Sequence, residues 1–297
     1  MHGSLTGGGP PNPRIITAMI VDCHTHFWKK EHWSEEMTRE AYLATGSPPK
    51  TDISEEEHWE AMQPVDRAIV VAFRSSHLGL LVPNDAVAGY VAMHREKLIG
   101  FASIDPWEKG FLDELHRAIE QLKLRGLKLG PIYQNYHPMD WRMRPVYAYC
   151  EKHGIPILFH QGTTFPRRAP LKYSFPAQLE DVALEYPDLK IFIAHMGHPR
   201  MEDTVVLIRK QPNVFADVSA LYYRPWQFYN GLMLAVEYGC THKLLLGSDY
   251  PFTTPGETIQ RLRKVNDVAG NSGLPRIPDE LMEAIIERDS LKLLGLS

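Results

Sequence analysis

The chain has 297 residues, 44% of them hydrophobic, and a formal net charge of −4. That apolar content excludes a disordered chain, and the mild acidity leaves no basic field for nucleic acid or an anionic membrane surface. No apolar run approaches the roughly 20 residues that span a bilayer, and Cys23, Cys150 and Cys240 are too few and too scattered for a disulfide framework, so the expected setting is the reducing cytoplasm.

Residues 1–18, MHGSLTGGGPPNPRIITA, are rich in Gly and Pro and lack the apolar core of a signal peptide. They predict a flexible tail ahead of a single domain over residues 19–297. From there short apolar runs alternate with amphipathic ones. AMIVDCH (18–24) reads as strand 1, RAIVVAF (67–73) as strand 2, LIGFASID (98–105) as strand 3 and GLKLGP (126–131) as strand 4. IPILFHQ (155–161), KIFIAHMG (190–197), VFADVSA (214–220) and KLLLGSD (243–249) complete the set as strands 5 to 8. Apolar residues at three- and four-residue spacing predict helices over 85–97, 111–123, 144–153, 175–186, 226–239 and 277–295. Strands buried on both faces show continuous apolar runs, as these do. Eight of them alternating with helices predict an α/β fold, a (β/α)8 TIM barrel with a C-terminal helix. An open doubly wound sheet would place a glycine-rich phosphate turn after strand 1; His24-Thr25-His26 stands there instead. Residues 28–60 interrupt the alternation, and their Trp28, Trp33 and Trp59 argue for an ordered lid inserted after strand 1.

Active sites of such barrels lie at the C-terminal ends of the strands. Strand 1 ends in His24 and His26, which share a face because strand side chains repeat every two residues. His160 ends strand 5, His195 strand 6 and Asp249 strand 8. The chain holds 14 histidines, and a single one at a strand end is usually a structural residue. Four with an aspartate at one rim point to a site. Imidazoles with one carboxylate suit Zn²⁺ and, second, other divalent ions. His195 and Asp249 are the candidates for general base. Cys23 reads as packing.

In this order the segments DCHTHF, GLKLGPIYQNYHPMD, LFHQG, IAHMGHP, ADVSA and GSDYPF resemble the amidohydrolase superfamily. More narrowly they resemble its amidohydrolase-related branch, which includes aminocarboxymuconate semialdehyde decarboxylase and pyrone dicarboxylate lactonase. The likeness runs from Met19 to Leu296. It implies that His24, His26, His160 and Asp249 bind one metal ion, Zn²⁺ first and Mn²⁺ as the alternative. It also implies that His195 contacts or deprotonates the attacking water and that Asp249 shuttles a proton. Homodimers or higher homo-oligomers are implied by the same analogy. Elsewhere in the superfamily a strand-4 lysine is carboxylated and bridges two metals; Lys128 occupies that strand, and in that reading His195 becomes a ligand. The expectation is one metal, with Lys128 facing a carboxylate.

Substrates of the branch are often carboxylated rings, which call for an Arg or Lys clamp. Arg167 and Arg168 after strand 5 and Arg224 after strand 7 are the candidates, with Trp28, Tyr133 and Tyr222 as substrate-contacting aromatics. Two chemistries follow for a small-molecule substrate. The first is metal-dependent hydrolysis of an amide, ester or lactone. The second is non-oxidative decarboxylation of an aromatic or muconate-type acid. A non-catalytic ligand-binding barrel is the third reading, and it would be expected to have lost ligands.

Overall fold

The computed structural model describes residues 19–297, so the expected tail lies outside the described residues. The eight apolar runs form one sheet of parallel strands: β1 (Val21–His26), β2 (Arg67–Val71), β3 (Leu98–Ser103), β4 (Gly126–Leu129), β5 (Ile157–Phe159), β6 (Ile191–Ile193), β7 (Val214–Asp217) and β8 (Leu244–Leu245). They pair in chain order. The sheet closes where the Cys23 amide donates to the Leu246 carbonyl at 2.9 Å, the Asp249 amide to His24 O at 2.8 Å and the His26 amide to Tyr250 O at 2.8 Å. The fold is the expected (β/α)8 barrel.

Alternation along each strand divides the core in two. Leu158 joins an inner cluster with Val21, Cys23, Ile69, Phe101 and Phe192, while its neighbours Ile157 and Phe159 pack outward against helices. Leu291 and Leu294 of the last helix, Ser290–Leu294, join the inner cluster beside Val21 and Cys23. Phe101 and Phe192, three strands apart, meet across the barrel edge to face with ring centres 6.0 Å apart. Gly126 opens β4 because the Phe101 ring fills the space above it. A Cβ there would lie 2.3–2.4 Å from three ring atoms. Gly126→Ala is therefore expected to destabilise the barrel by about 2 kcal/mol through overpacking, read as a lowered thermal midpoint. An unchanged midpoint would show that this layer is loosely packed.

Helices form at Asn84–Met93, Phe111–Glu120, Arg144–His153 and Pro225–Glu237, close to the predicted spans. The predicted 277–295 element divides into Asp279–Ile286 and Ser290–Leu294. The helices Met201–Lys210 and Pro255–Arg263 were not expected from periodicity. Met201–Lys210 carries a β-branched Thr204-Val205-Val206 run that reads as strand, yet Met201, Thr204, Val205 and Ile208 are buried at helical spacing. A short hairpin, Phe73–Ser75 with Leu80–Val82, follows β2.

The insertion after β1 is ordered. Ser34 and Ser54 cap the helices Glu35–Thr45 and Glu55–Ala61, each side chain accepting a backbone amide. Trp28 and Trp33 are buried, and Trp28 Nε1 donates to Lys50 O at 2.8 Å. His58 anchors the second helix behind β1. Its Nδ1 meets Tyr90 Oη and its Nε2 meets Thr25 Oγ1, both at 3.0 Å. Thr25 lies between His24 and His26, so the insertion braces the strand that presents them. Among the described residues no helix is long and apolar enough to cross a membrane.

Candidate active site

The strand ends converge as the sequence predicts. The β1 pairing with β2 slips between Asp22 and Thr25, and Asp22 accepts the amides of His24 at 3.1 Å and Ser248 at 3.0 Å. This turn support sets His24 and His26 over the barrel. Asp249 Oδ1 stands 3.4 Å from His24 Nε2 and 3.1 Å from His26 Nε2. An ion about 2.1 Å from each of several tetrahedral donors places those donors about 3.4 Å apart. The three groups thus form a His₂Asp donor cluster with spacings that fit one small divalent cation. Burial holds the imidazoles of His24 and His26 well below their usual pKa, so both are neutral, the state that ligates. The same burial pushes Asp249 well above the carboxylate range, with the Lys128 ammonium opposing the rise. A carboxylate that costs this much to ionise is stabilised by a cation at the cluster.

Asp217, which apolar periodicity alone does not single out, organises the rest. Its Oδ2 takes His24 Nδ1 at 3.1 Å. Its Oδ1 accepts the His195 amide at 2.9 Å, the Ser219 amide at 3.0 Å and the Ser219 hydroxyl. The carboxylate is fully buried and meets donors from His24, His195 and Ser219, so it orients these groups; its donor atoms also lie close enough to those of His24 and His195 to form a second candidate ion cluster. His195 Nδ1 lies 2.7 Å from Ser219 Oγ. Because Ser219 donates onward to Asp217, His195 donates through Nδ1 and keeps the Nε2 lone pair free. His24 donates through Nδ1 likewise, and its Nε2 faces Lys128 Nζ at 2.9 Å. An acid at the end of an apolar strand, in ADVSA, was the available signal.

Strain marks the same residues. His195, Met196, Ala220 and Asp249 take φ of 56°, 49°, 52° and 62°, a left-handed conformation that non-glycine residues seldom adopt. It turns the chain ends of β6 to β8 over the barrel mouth.

His160 reaches the same rim, its ring 5.2 Å from that of His195. Its Nε2 donates to the Thr163 carbonyl at 3.0 Å, and it stands outside the cluster of His24, His26 and Asp249. Burial lowers its pKa to about 3. Lys128 is buried beneath the cluster with its pKa lowered by burial to about 8.

A cavity of about 690 Å³ rises above these groups. Trp28, Lys128, Tyr133, Tyr222 and Arg224 line it, as do Phe165, His198 and Tyr223. Trp28 packs 4.9 Å from the His26 ring and Tyr133 stands edge-on to His160 at 4.8 Å. Tyr222 Oη is tied to Phe252 O at 2.7 Å. Arg167 and Arg168 do not line the cavity. Arg167 pairs with the buried Glu40 at 3.3 Å and Arg168 with Glu36 at 2.5 Å, both acids on the inserted helix Glu35–Thr45. Two predicted clamp residues therefore hold the insertion down over the β5 loop, because its acids are nearer than the cavity.

Comparison with known proteins agrees with this architecture. The family described as amidohydrolase matches residues 21–296. A 2-amino-3-carboxymuconate-6-semialdehyde decarboxylase of Dictyostelium discoideum is 24% identical over 219 residues, 62% of this chain and 60% of that protein. The chain thus spans about three-fifths of the length of this curated relative. An uncharacterised TIM-barrel protein of Bordetella bronchiseptica superposes with a TM-score of 0.70 at 21% identity, over 93% of this chain and 99% of the other. A probable 2-pyrone-4,6-dicarboxylic acid hydrolase of Acinetobacter baumannii, solved with citric acid bound, superposes with a TM-score of 0.65 at 18% identity, over 93% and 99%. With the family match running from the first residue of β1 to Leu296, the chain belongs to the amidohydrolase family.

Proposed function

We propose that the protein is a metal-dependent hydrolase that directs water at a carbonyl of a small, flat, carboxylated substrate. The observation that carries this reading is the free Nε2 of His195, 3.9 Å from Asp249 Oδ2 and beside the His₂Asp cluster. A divalent ion bound there, Zn²⁺ by its donor set with Mn²⁺ as the alternative, supplies a Lewis acid that polarises water and the substrate oxygen. His195 Nε2 takes the proton from water as the new C–O bond forms. Its imidazole is held neutral by burial, and the Ser219–Asp217 pair that fixes Nδ1 stabilises the imidazolium that results. The imidazolium gives that proton to Asp249 Oδ2, 3.9 Å from Nε2, which passes it to the leaving nitrogen or oxygen as the C–N or C–O bond breaks, and His195 returns to its neutral form. Trp28, Tyr133 and Phe165 line the site.

Non-oxidative decarboxylation is the second reading, favoured by the decarboxylase among the relatives. In that chemistry a proton is delivered to the substrate carbon and CO₂ leaves. A panel of hydroxybenzoates, muconate-type acids and lactones separates the two. Proton release without CO₂ supports hydrolysis, and CO₂ release from an acid supports decarboxylation. His195→Asn is expected to lower turnover by about 10²–10⁴-fold while metal content, measured by plasma mass spectrometry, stays at one ion per chain. Undiminished turnover would remove His195 from the mechanism. Loss of the metal would make it a ligand and reopen the reading with a carboxylated Lys128. We further propose, on the family analogy alone, that the protein is a cytoplasmic homo-oligomer.

A further inference from the structure

The cavity is larger than a ring acid needs. A void of about 150 Å³ accepts one benzene ring, and this cavity measures about 690 Å³. A ring acid placed at the cluster of His24, His26 and Asp249 therefore leaves most of the space unfilled.

One wall of that space belongs to the insertion. Met37, Ala41 and Ala44 of the helix Glu35–Thr45 line it, and their i, i+4, i+7 spacing puts them on one helical stripe. Pro48 and Pro49 continue the wall, and proline offers no amide donor. Lys50 ends it, with its ammonium 2.8 Å from Glu57 Oε1. The acids of the helix are engaged elsewhere, Glu40 with Arg167 and Glu36 with Arg168, and these pairs fix the apolar stripe toward the cavity.

The wall is continuous with the reacting groups. The Trp28 ring packs 4.9 Å from the His26 ring, and Trp33 meets Trp28 edge to face at 5.0 Å. Trp33 and Met37 then lead on to the helix, so an apolar path joins the metal donors to the insertion. Two alanines on the stripe leave room that longer side chains would take. Ala44 and Pro48 are exposed, which leaves apolar surface in water at the mouth of the site. Covering it with an apolar group is favourable by the hydrophobic effect.

We propose that this wall is a subsite for a hydrocarbon arm of the substrate, several carbons long and joined to the carbonyl group that reacts at the cluster. This rests on the function proposed above and deepens it. The substrate is then an acid, ester or lactone extended by an apolar arm, and Met37, Ala41 and Ala44 limit the arm's length. They are specificity residues, and the chemistry stays with His195 and Asp249.

Calorimetry with butanoate, hexanoate and octanoate tests this on the protein as purified and with Zn²⁺ added, each acid kept below the concentration at which it forms micelles. Affinity should rise with length, by up to about fourfold for each fully buried methylene. Ala44→Trp fills the chamber from an exposed helix position, so the barrel should fold as before. It should leave butanoate binding unchanged and make octanoate bind no tighter than butanoate. Ala44→Glu puts a charge on the stripe and should flatten the series likewise. Leu43 is 64% exposed and lies outside the cavity wall, so Leu43→Trp should leave the series as in the wild type. This control separates a filled chamber from a disturbed helix. Equal affinities across the series, no binding of octanoate, a length dependence that Ala44→Trp leaves intact, or one that Leu43→Trp also abolishes would overturn the subsite. A flat series in a dimer that Ala44→Trp dissociates would overturn it too, and would assign the face to a second copy of the chain. A length dependence lost in Ala44→Trp, in a protein that turns over no acid, ester or lactone, would support the subsite and remove the proposed catalysis. Turnover of compact ring acids with a flat series would do the reverse.

Discussion

Asp249→Asn is expected to abolish high-affinity binding of Zn²⁺ or Mn²⁺ and to lower turnover by about 10³-fold or more. Asp249 is the one carboxylate in the donor cluster with His24 and His26, with Oδ1 3.1 and 3.4 Å from their Nε2 atoms. An amide of the same shape keeps the packing and removes the charge. The backbone link that sets the residue, its amide to His24 O at 2.8 Å, is untouched, so the barrel should still close. Two readouts separate the roles. Metal content per chain reports ligation, and the rise of the thermal midpoint on adding Zn²⁺ or Mn²⁺ reports binding to the native state by mass action. Wild-type protein should melt higher with metal, and the variant should not. A variant that retains one ion per chain and loses only turnover would confine Asp249 to proton transfer. One that retains both would remove it from the site.

Asp217→Asn should weaken metal binding by about 10–100-fold, the usual effect of losing a carboxylate behind a ligating histidine. The asparagine can accept at one oxygen only, whereas Asp217 accepts His24 Nδ1 at Oδ2 and His195 N, Ser219 N and Ser219 Oγ at Oδ1. Whichever way the amide turns, a donor faces a donor. The expected cost in folding is about 1–3 kcal/mol for the buried group left unsatisfied. Where the amide turns its nitrogen toward Ser219, turnover should fall further than metal loading explains, because the hydroxyl that fixes the His195 tautomer then loses its acceptor. Comparing turnover at saturating metal isolates that second effect. Wild-type metal affinity in this variant would show that His24 is oriented by β1 alone.

The two variants probe parts of the site that were unequally visible in the sequence. Asp249 and the pair His24/His26 could be read directly, because each ends a continuous apolar run and the period-2 geometry of a strand aims His24 and His26 together. Asp217 was less visible. It lies within a run that reads as plain strand, and its partner His24 is 193 residues away. The arginines show the same limit. Arg167, Arg168 and Arg224 all follow strand ends, and nothing in their neighbours separates them. Two are drawn to Glu40 and Glu36 of an insertion whose path the sequence does not state. The third is held over the cavity by the Tyr223 ring.

What the sequence by itself determined is the order of eight buried strands, the barrel they close into, and the rim on which His24, His26, His160, His195 and Asp249 meet. These follow from local rules of apolar periodicity and side-chain alternation. What only the tertiary structure decided is which atoms those residues offer one another. His160 turns its Nε2 to the Thr163 carbonyl, Asp217 sets the tautomers of His24 and His195, and His58 braces β1 from the insertion. Such choices depend on distances between residues far apart in the chain. A hydrogen bond falls off within a few tenths of an ångström, so its partners appear only once the loops have been placed.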